Sequence, residues 1–356
     1  MDGKKRLLGM TLNELKSVAE ELGLPLYAAR QMADWLYKKR VTSIAAMTNV
    51  AASKRSLLDE RYDLGAMPPV DSRQSMDGTV KYLFPAGENH FVESVYIPTD
   101  DDRNTLCVSS QVGCKMNCLF CMTGKMGFVQ NLTANEILNQ IQSLPEFNSL
   151  SNVVFMGMGE PLDNVDELFK ILDILTSSYG YAWSPKRITV STMGPTKGLQ
   201  RFLDESQCNL AISLHSPFGD ERLSLMPVEK VFPINEIVEK VKQYDFAHQR
   251  RISFEYIVFK DLNDDIRHAR GLIKLLKGFP CRVNLIRFHG LPAGPGRNAP
   301  VFSNFYGSSY AGHRRSPGSQ RNPGDREGSR LGRRHLLQDH HHLGAGGWRG
   351  YPQRHG

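Results

Sequence analysis

Gln111-Val-Gly-Cys114-Lys-Met-Asn-Cys118-Leu-Phe-Cys121-Met-Thr-Gly-Lys125 sets three cysteines in a C-x3-C-x2-C pattern, inside a glycine-containing loop with no apolar period. Thiolates gathered this closely are soft-metal ligands, suited to zinc or to an iron–sulfur cluster. Packing alone gives no reason to cluster free cysteines in a polar loop. A closed zinc site takes four ligands, and no Cys or His lies between Cys121 and Cys208 to complete one at finger-like spacing. Three cysteines on a [4Fe–4S] cluster leave one iron open to an exogenous ligand, so the arithmetic favours iron. A zinc-stabilised interaction module is the rival.

Outward from this loop the chain alternates strand and helix six times. Strands are expected at 105–110, 152–156, 187–191, 209–214, 251–259 and 282–288, from their β-branched and apolar runs. Thr133-Ala-Asn-Glu136 is a capping box, Asn164 is expected to cap a helix through 175, and further helices are expected at 195–203, 234–244 and 265–276. Repeated right-handed βα units curl into a parallel barrel or open sheet. The fold class expected is α/β: a partial (β/α)6 TIM-like barrel with a small N-terminal helical domain.

In such folds the site lies at the C-terminal ends of the strands. The cysteine loop follows the first strand, Gly157-Met-Gly159-Glu160 the second, Ser191-Thr-Met-Gly194 the third, Ser213-Leu214-His215 the fourth and His289 the sixth. Each has a plain reading as turn glycine or strand-end polar residue, but their convergence on one rim favours function. A glycine-rich edge leaves carbonyls free to accept from an ammonium, Glu160 can accept from the same group, and Ser and His can hold carboxylate and ribose.

The first 75 residues read as the helical domain. Thr11-Leu-Asn-Glu14 is a capping box opening a helix that Gly23 stops, a second helix spans 27–39, and short helices follow near 43–47 and 52–60. Lys38-Lys39-Arg40 gives the second helix a basic tip, either a phosphate contact or a solvated helix end. Two strands, 79–84 and 91–97, come next, and alternation puts Glu93 on the face of Val95 and Ile97. A carboxylate among apolar neighbours is costly unless used.

Phe120 before the last cysteine, the run Leu106-Cys107-Val-Ser-Ser-Gln-Val-Gly-Cys114, and Gly157-Met-Gly-Glu160-Pro161 together resemble the radical S-adenosylmethionine (SAM) ribosomal RNA adenine-C2 methyltransferases, with matching segments from about Asn13 to Pro292. The resemblance implies a [4Fe–4S] cluster on Cys114, Cys118 and Cys121. It implies SAM contacts at Gly159, Glu160, Ser191, Ser213, Leu214, His215 and His289, where some relatives have asparagine at the last position. Glu93 becomes a proton acceptor and Cys107 a catalytic thiol that helps resolve a protein–RNA bond. Partners implied are 23S ribosomal RNA, transfer RNA and an external electron donor, for a cytoplasmic monomer with an N-terminal RNA-docking domain at 1–75 and a barrel at 76–298. A disulfide bond belongs to the same expectation. Adenine C2 is not nucleophilic, and the family answers this by carrying the methyl group on a C-terminal cysteine.

That cysteine has no counterpart here, since the last of the six is Cys281. Residues 299–356 are rich in Gly, Arg, Ser and His, contain no lysine and show no apolar period, so they are expected to be an aberrant, disordered tail with a frame-shifted composition. Cys208 and Cys281 read as structural. A catalytically dead, SAM-binding RNA-binding protein is therefore the alternative for this polypeptide. Net charge is +7, but nine arginines against three acids lie after Ala299, so the body is nearly neutral. At 40% hydrophobic and 23% charged the composition is that of a globular protein. No apolar run reaches the ~18 residues of a membrane span, and no apolar segment follows the basic N-terminus as a secretion signal would require.

Overall fold

The computed structural model describes residues 3–100, 103–246 and 250–288. His289 and the tail expected at 299–356 lie outside the described residues. The order is β1 Lys5–Arg6, α1 Leu12–Glu21, α2 Tyr27–Ala33, α3 Ala52–Arg61, β2 Tyr62–Asp63, β3 Asp71–Gln74, β4 Val80–Ala86, β5 His90–Ile97, β6 Asn104–Cys107, β7 Gln111–Gly113, α4 Met122–Lys125, β8 Phe128–Asn131, α5 Ala134–Gln142, β9 Leu150–Phe155, α6 Val165–Thr176, β10 Ile188–Thr192, α7 Thr196–Glu205, β11 Asn209–Ser213, α8 Gly219–Leu225, α9 Ile234–Val241, β12 Ile252–Val258, α10 Ile266–Leu275 and β13 Arg282–Arg287.

Nine strands form one sheet in the order β13-β12-β11-β10-β9-β6-β5-β4-β3. The six from β6 to β13 are parallel and follow chain order, as the six βα units predict. β5, β4 and β3 extend the β6 edge antiparallel. Among the described residues the sheet is open, with β13 and β3 as its edges. β3 has only charged and polar side chains, Asp71-Ser-Arg-Gln74, which suit an exposed edge but give no strand signal. Asp71–Gln74, placed by sequence in the helical domain, thus belongs to the sheet.

Both capping boxes are present, Thr11 with Glu14 and Thr133 with Glu136. The expected second helix changes pitch part-way, from α-helix at Tyr27–Ala33 to π-helix at Asp34–Lys38. Helix α5 is buried from Ala134 to Ile141 because it is clamped between the sheet and the N-terminal unit. Asn135 Nδ2 donates to the carbonyls of Leu8 and Gly65, both at 3.0 Å, and Asn139 exchanges two bonds with Met67. Arg40 of the basic tip is committed to packing, while Lys38 and Lys39 stay exposed. Lys38 and Lys39 pair with Asp34, Lys39 lies over Trp35, and Arg40 stacks on Phe147 and donates to Asn148 at 2.7 Å.

Asn164 precedes α6 but makes no side-chain cap. Its amide turns inward and donates to the carbonyls of Ser110 at 3.0 Å and Leu132 at 2.8 Å, stitching the start of α6 to both flanks of the cysteine loop. Capping would satisfy helix N–H groups; here the buried loop carbonyls are the greater need. Asn164→Ala leaves them short of donors and is expected to lower stability by about 1–3 kcal/mol, read as a lower urea midpoint at unchanged slope.

Candidate functional site

A cavity of about 1000 Å³ lies against the inner face of the sheet. Its wall includes Glu93, Cys107, Cys114, Cys121, Gly159, Glu160, Ser191, Ser213 and His215, drawn from segments that span more than a hundred residues of sequence. Cys118 lies behind the wall, 1% exposed in a small apolar cluster with Met116, Leu225, Met226 and Phe259. Leu214 is not in the lining. Its side chain is fully buried, its N–H donates to the Glu255 carbonyl, and its own carbonyl accepts from Arg222 Nε at 3.1 Å.

The cysteine loop leaves β7, and the Cys114 N–H donates to Gly127 at 3.0 Å, closing it. Phe120 packs edge-on against the His215 ring at 5.0 Å and against Phe259 at 5.7 Å, so the aromatic residue of the motif pins the loop to the ends of β11 and β12. Burial pushes the Cys114 thiol up to about 11, and it pushes Cys118 up with it, the neighbouring cysteine thiolates adding to the effect.

Glu160 is 1% exposed and its carboxylate accepts three bonds: Thr192 Oγ1 at 2.6 Å, Met193 N at 2.8 Å and Leu162 N at 3.0 Å. Desolvation outweighs these donors and pushes it up to about 7. The glycines before it are forced by contact. A Cβ on Gly157 would lie 2.7 Å from Ser109 Oγ, and on Gly159, at φ +100°, 2.5 Å from Gln111 Cβ. His215 sits at φ +58° with Nδ1 accepting the Ile257 N–H at 3.0 Å, so the proton of the neutral ring is on Nε2.

Glu93 lies on the inner face with Val95 and Ile97, as alternation predicts, and is held by Lys81 Nζ at 3.1 Å from Oε2. Cys107 pairs with Val95, one inward position from Glu93. Burial pushes Cys107 up to about 12, so it remains a thiol at neutral pH.

The profile of the Radical SAM superfamily matches residues 108–273, and that of the ribosomal RNA large subunit methyltransferase N-terminal domain matches 5–64. A protein of Parabacteroides distasonis named "Probable dual-specificity RNA methyltransferase RlmN" is 71% identical over 82% of this chain and 85% of its own length. The dual-specificity RNA methyltransferase RlmN of Desulfotalea psychrophila is 40% identical over 81% of this chain and 83% of its own. The chain belongs to the RlmN family of radical SAM RNA methyltransferases. The crystal structure of a radical SAM methyltransferase from Sphaerobacter thermophilus superposes with a TM-score of 0.75 at 37% identity, covering 84% of this chain and 90% of that one.

Cys114, Cys118 and Cys121 are free thiols, and among the described residues no three His, Cys, Asp or Glu side chains are placed to hold a single metal ion. The disulfide implied by the family resemblance is not formed, as all six cysteines are free. Cys208 and Cys281 precede the N-terminal ends of β11 and β13, the far end of the sheet from Cys107 and the cysteine loop.

Sequence reading missed the residues that hold these groups in place. Arg222 is fully buried, ion-paired to Glu229, and bonds the carbonyls of Ser213 at 2.9 Å and Leu214. Gln111 accepts the Glu160 N–H at 2.8 Å and donates to Asn131 and Asp163. Thr192 stood inside a recognised motif; Lys81 and Arg222 had no local signal.

Burial raises the folded-state pKa of Glu160 above its ordinary 4.5, so its charge costs stability: the cost is absent below 4.5 and complete once pH has passed about 7. Without cofactor, the stability of Glu160→Gln relative to the wild-type chain is expected to rise between those two pH values, as paired urea titrations would record.

Proposed function

We propose that this chain binds SAM at a [4Fe–4S] cluster carried by Cys114, Cys118 and Cys121, in a site whose lineage methylates C2 of adenine in large-subunit ribosomal RNA and in transfer RNA. The observation that carries the reading is the convergence of Cys114, Cys121, Glu160, Ser213, His215, Cys107 and Glu93 on one cavity. The family, the names of its relatives and the N-terminal profile support the RNA substrate.

When bound, the cluster supplies the one-electron chemistry that an unreactive ring carbon requires. The protein's own part is placement. Glu160, fixed by three donors, takes the ammonium of the cofactor, and the close-packed glycines leave main-chain carbonyls beside it. Ser191, Ser213 and His215 supply hydroxyl and imidazole contacts on the adjoining strands, and His289, outside the described residues, is a further contact by family resemblance. Glu93, held in orientation by Lys81, accepts a proton beside Cys107, which meets the substrate as a neutral thiol. The N-terminal helical unit docks RNA, and an external donor provides the electron. Among the described residues no helix is long and apolar enough to cross a membrane.

Methyl transfer in this lineage uses a C-terminal cysteine, and no cysteine follows Cys281 in this sequence. A polypeptide of this sequence is accordingly expected to bind the cofactor and leave adenine unmethylated. Anaerobic reconstitution is expected to give a brown protein containing iron and little zinc, with iron content falling sharply in Cys118→Ala; stoichiometric zinc would sink the cluster assignment. Incubation with reductant, SAM and ribosomal RNA, followed by nucleoside mass spectrometry, is expected to show no 2-methyladenosine. Its appearance would refute this reading and force Cys208, Cys281 or a direct mechanism into the carrier role.

A further inference from the structure

Three polar side chains on the last parallel strands stand in one row across the sheet. Ser213 is in register with Glu255 on β12, and Glu255 with Asn284 on β13. In-register residues of parallel neighbours share a face at about 4.8 Å spacing, and all three line the cavity. Glu255 is 6% exposed, yet its carboxylate holds only neutral donors: Oε1 accepts from Ser253 Oγ and Oε2 from Asn284 Nδ2, each at 2.7 Å. Among the described residues it has no ion pair, and burial pushes its pKa up.

A buried carboxylate with no counter-ion is costly, and an apolar residue would pack the same wall for less. What the carboxylate offers is acceptor capacity. Its two oxygens take about four hydrogen bonds when ionised, and two donors are assigned. Phe120, Ile257 and Phe288 supply apolar wall in the same cavity. Acceptors in a row beside an aromatic and aliphatic wall fit a ligand that joins paired hydroxyl donors to a flat ring, which is the chemistry of a ribonucleoside.

We propose that Glu255 accepts hydrogen bonds from the ribose hydroxyls of bound SAM and makes the site selective for ribose over deoxyribose, with Ser253 and Asn284 as positioning residues. The inference rests on the SAM reading of this cavity and adds to it a residue on β12 that none of the strand-end motifs contains.

The test uses the cluster-reconstituted protein, titrated anaerobically by calorimetry with S-adenosylhomocysteine and with its 2′-deoxy and 3′-deoxy counterparts. The wild-type chain is expected to lose about tenfold or more in affinity when a contacted hydroxyl is removed, the worth of a hydrogen bond to a charged group. Glu255→Gln is expected to bind the ribose compound about tenfold or more weakly and to discriminate little among the three. Asn284→Ala, which keeps the carboxylate but frees one oxygen, is expected to reduce discrimination to a smaller extent and decides the matter if Glu255→Gln does not fold. Full discrimination in Glu255→Gln, or equal loss for all three ligands with their ratios intact, overturns the proposal and returns Glu255 to a structural role. A wild-type protein that binds none of the three removes the SAM reading itself.

Discussion

The contact on which this site depends is backbone against backbone: the Gly157–Glu160 turn lies directly on Ser109 to Gln111. Ser110 N and Gln111 N both donate to the Met158 carbonyl, Met158 N donates to Ser109 Oγ, and Gly157 N donates to the Val108 carbonyl. No side chain fits between the two segments, so Gly157 and Gly159 have no room for a Cβ. The cysteine loop leaves one segment and Glu160 ends the other. Their close approach fixes the distance from the cysteine loop to the carboxylate more firmly than any surface ion pair could.

Around this seam the structure buries polar groups and satisfies them. Gln140 exchanges two bonds with the main chain of Ser109 and accepts a third from Ser94, holding β5 beside the strand that leads to the cysteines. Arg222, paired with Glu229, ties off the carbonyls at the end of β11, where Ser213 and His215 leave the sheet. Removing one of them leaves buried main-chain partners unpaired, at a cost of about 1–3 kcal/mol, but stability is not all they provide. What they confer is position, since hydrogen bonds are directional and apolar contacts are not. A cavity wall assembled from strand ends this far apart in sequence needs that precision in the groups around it.

The N-terminal unit is joined to the sheet by the same means. Asn135 and Asn139 on α5 bond the main chain just beyond β1 and β2, and Tyr37 meets Tyr179 and Tyr181 in a tilted aromatic group. Arg40 closes that joint over Phe147. Of the basic run at that helix end, Arg40 joins the two units, while Lys38 and Lys39 stay exposed and pair with Asp34 on their own helix.

The sequence by itself determined the six parallel strands, the two capping boxes, the cysteine motif and the strand-end residues, because each is written in local spacing: period-2 and period-3.6 patterns, caps three residues apart, thiols within one loop. Family likeness was legible for the same reason, since its motifs are short and contiguous. Only the tertiary structure decided what holds those residues. The β3 edge strand, the inward turn of Asn164, the Lys81 partner of Glu93 and the row of Ser213, Glu255 and Asn284 all depend on which strand lies beside which. Leu214 shows the limit from the other side, for it stands within a motif yet points into the core. A strand's residues alternate by rule, but the partner across the sheet is chosen by register, and register is set by the packing of the whole chain.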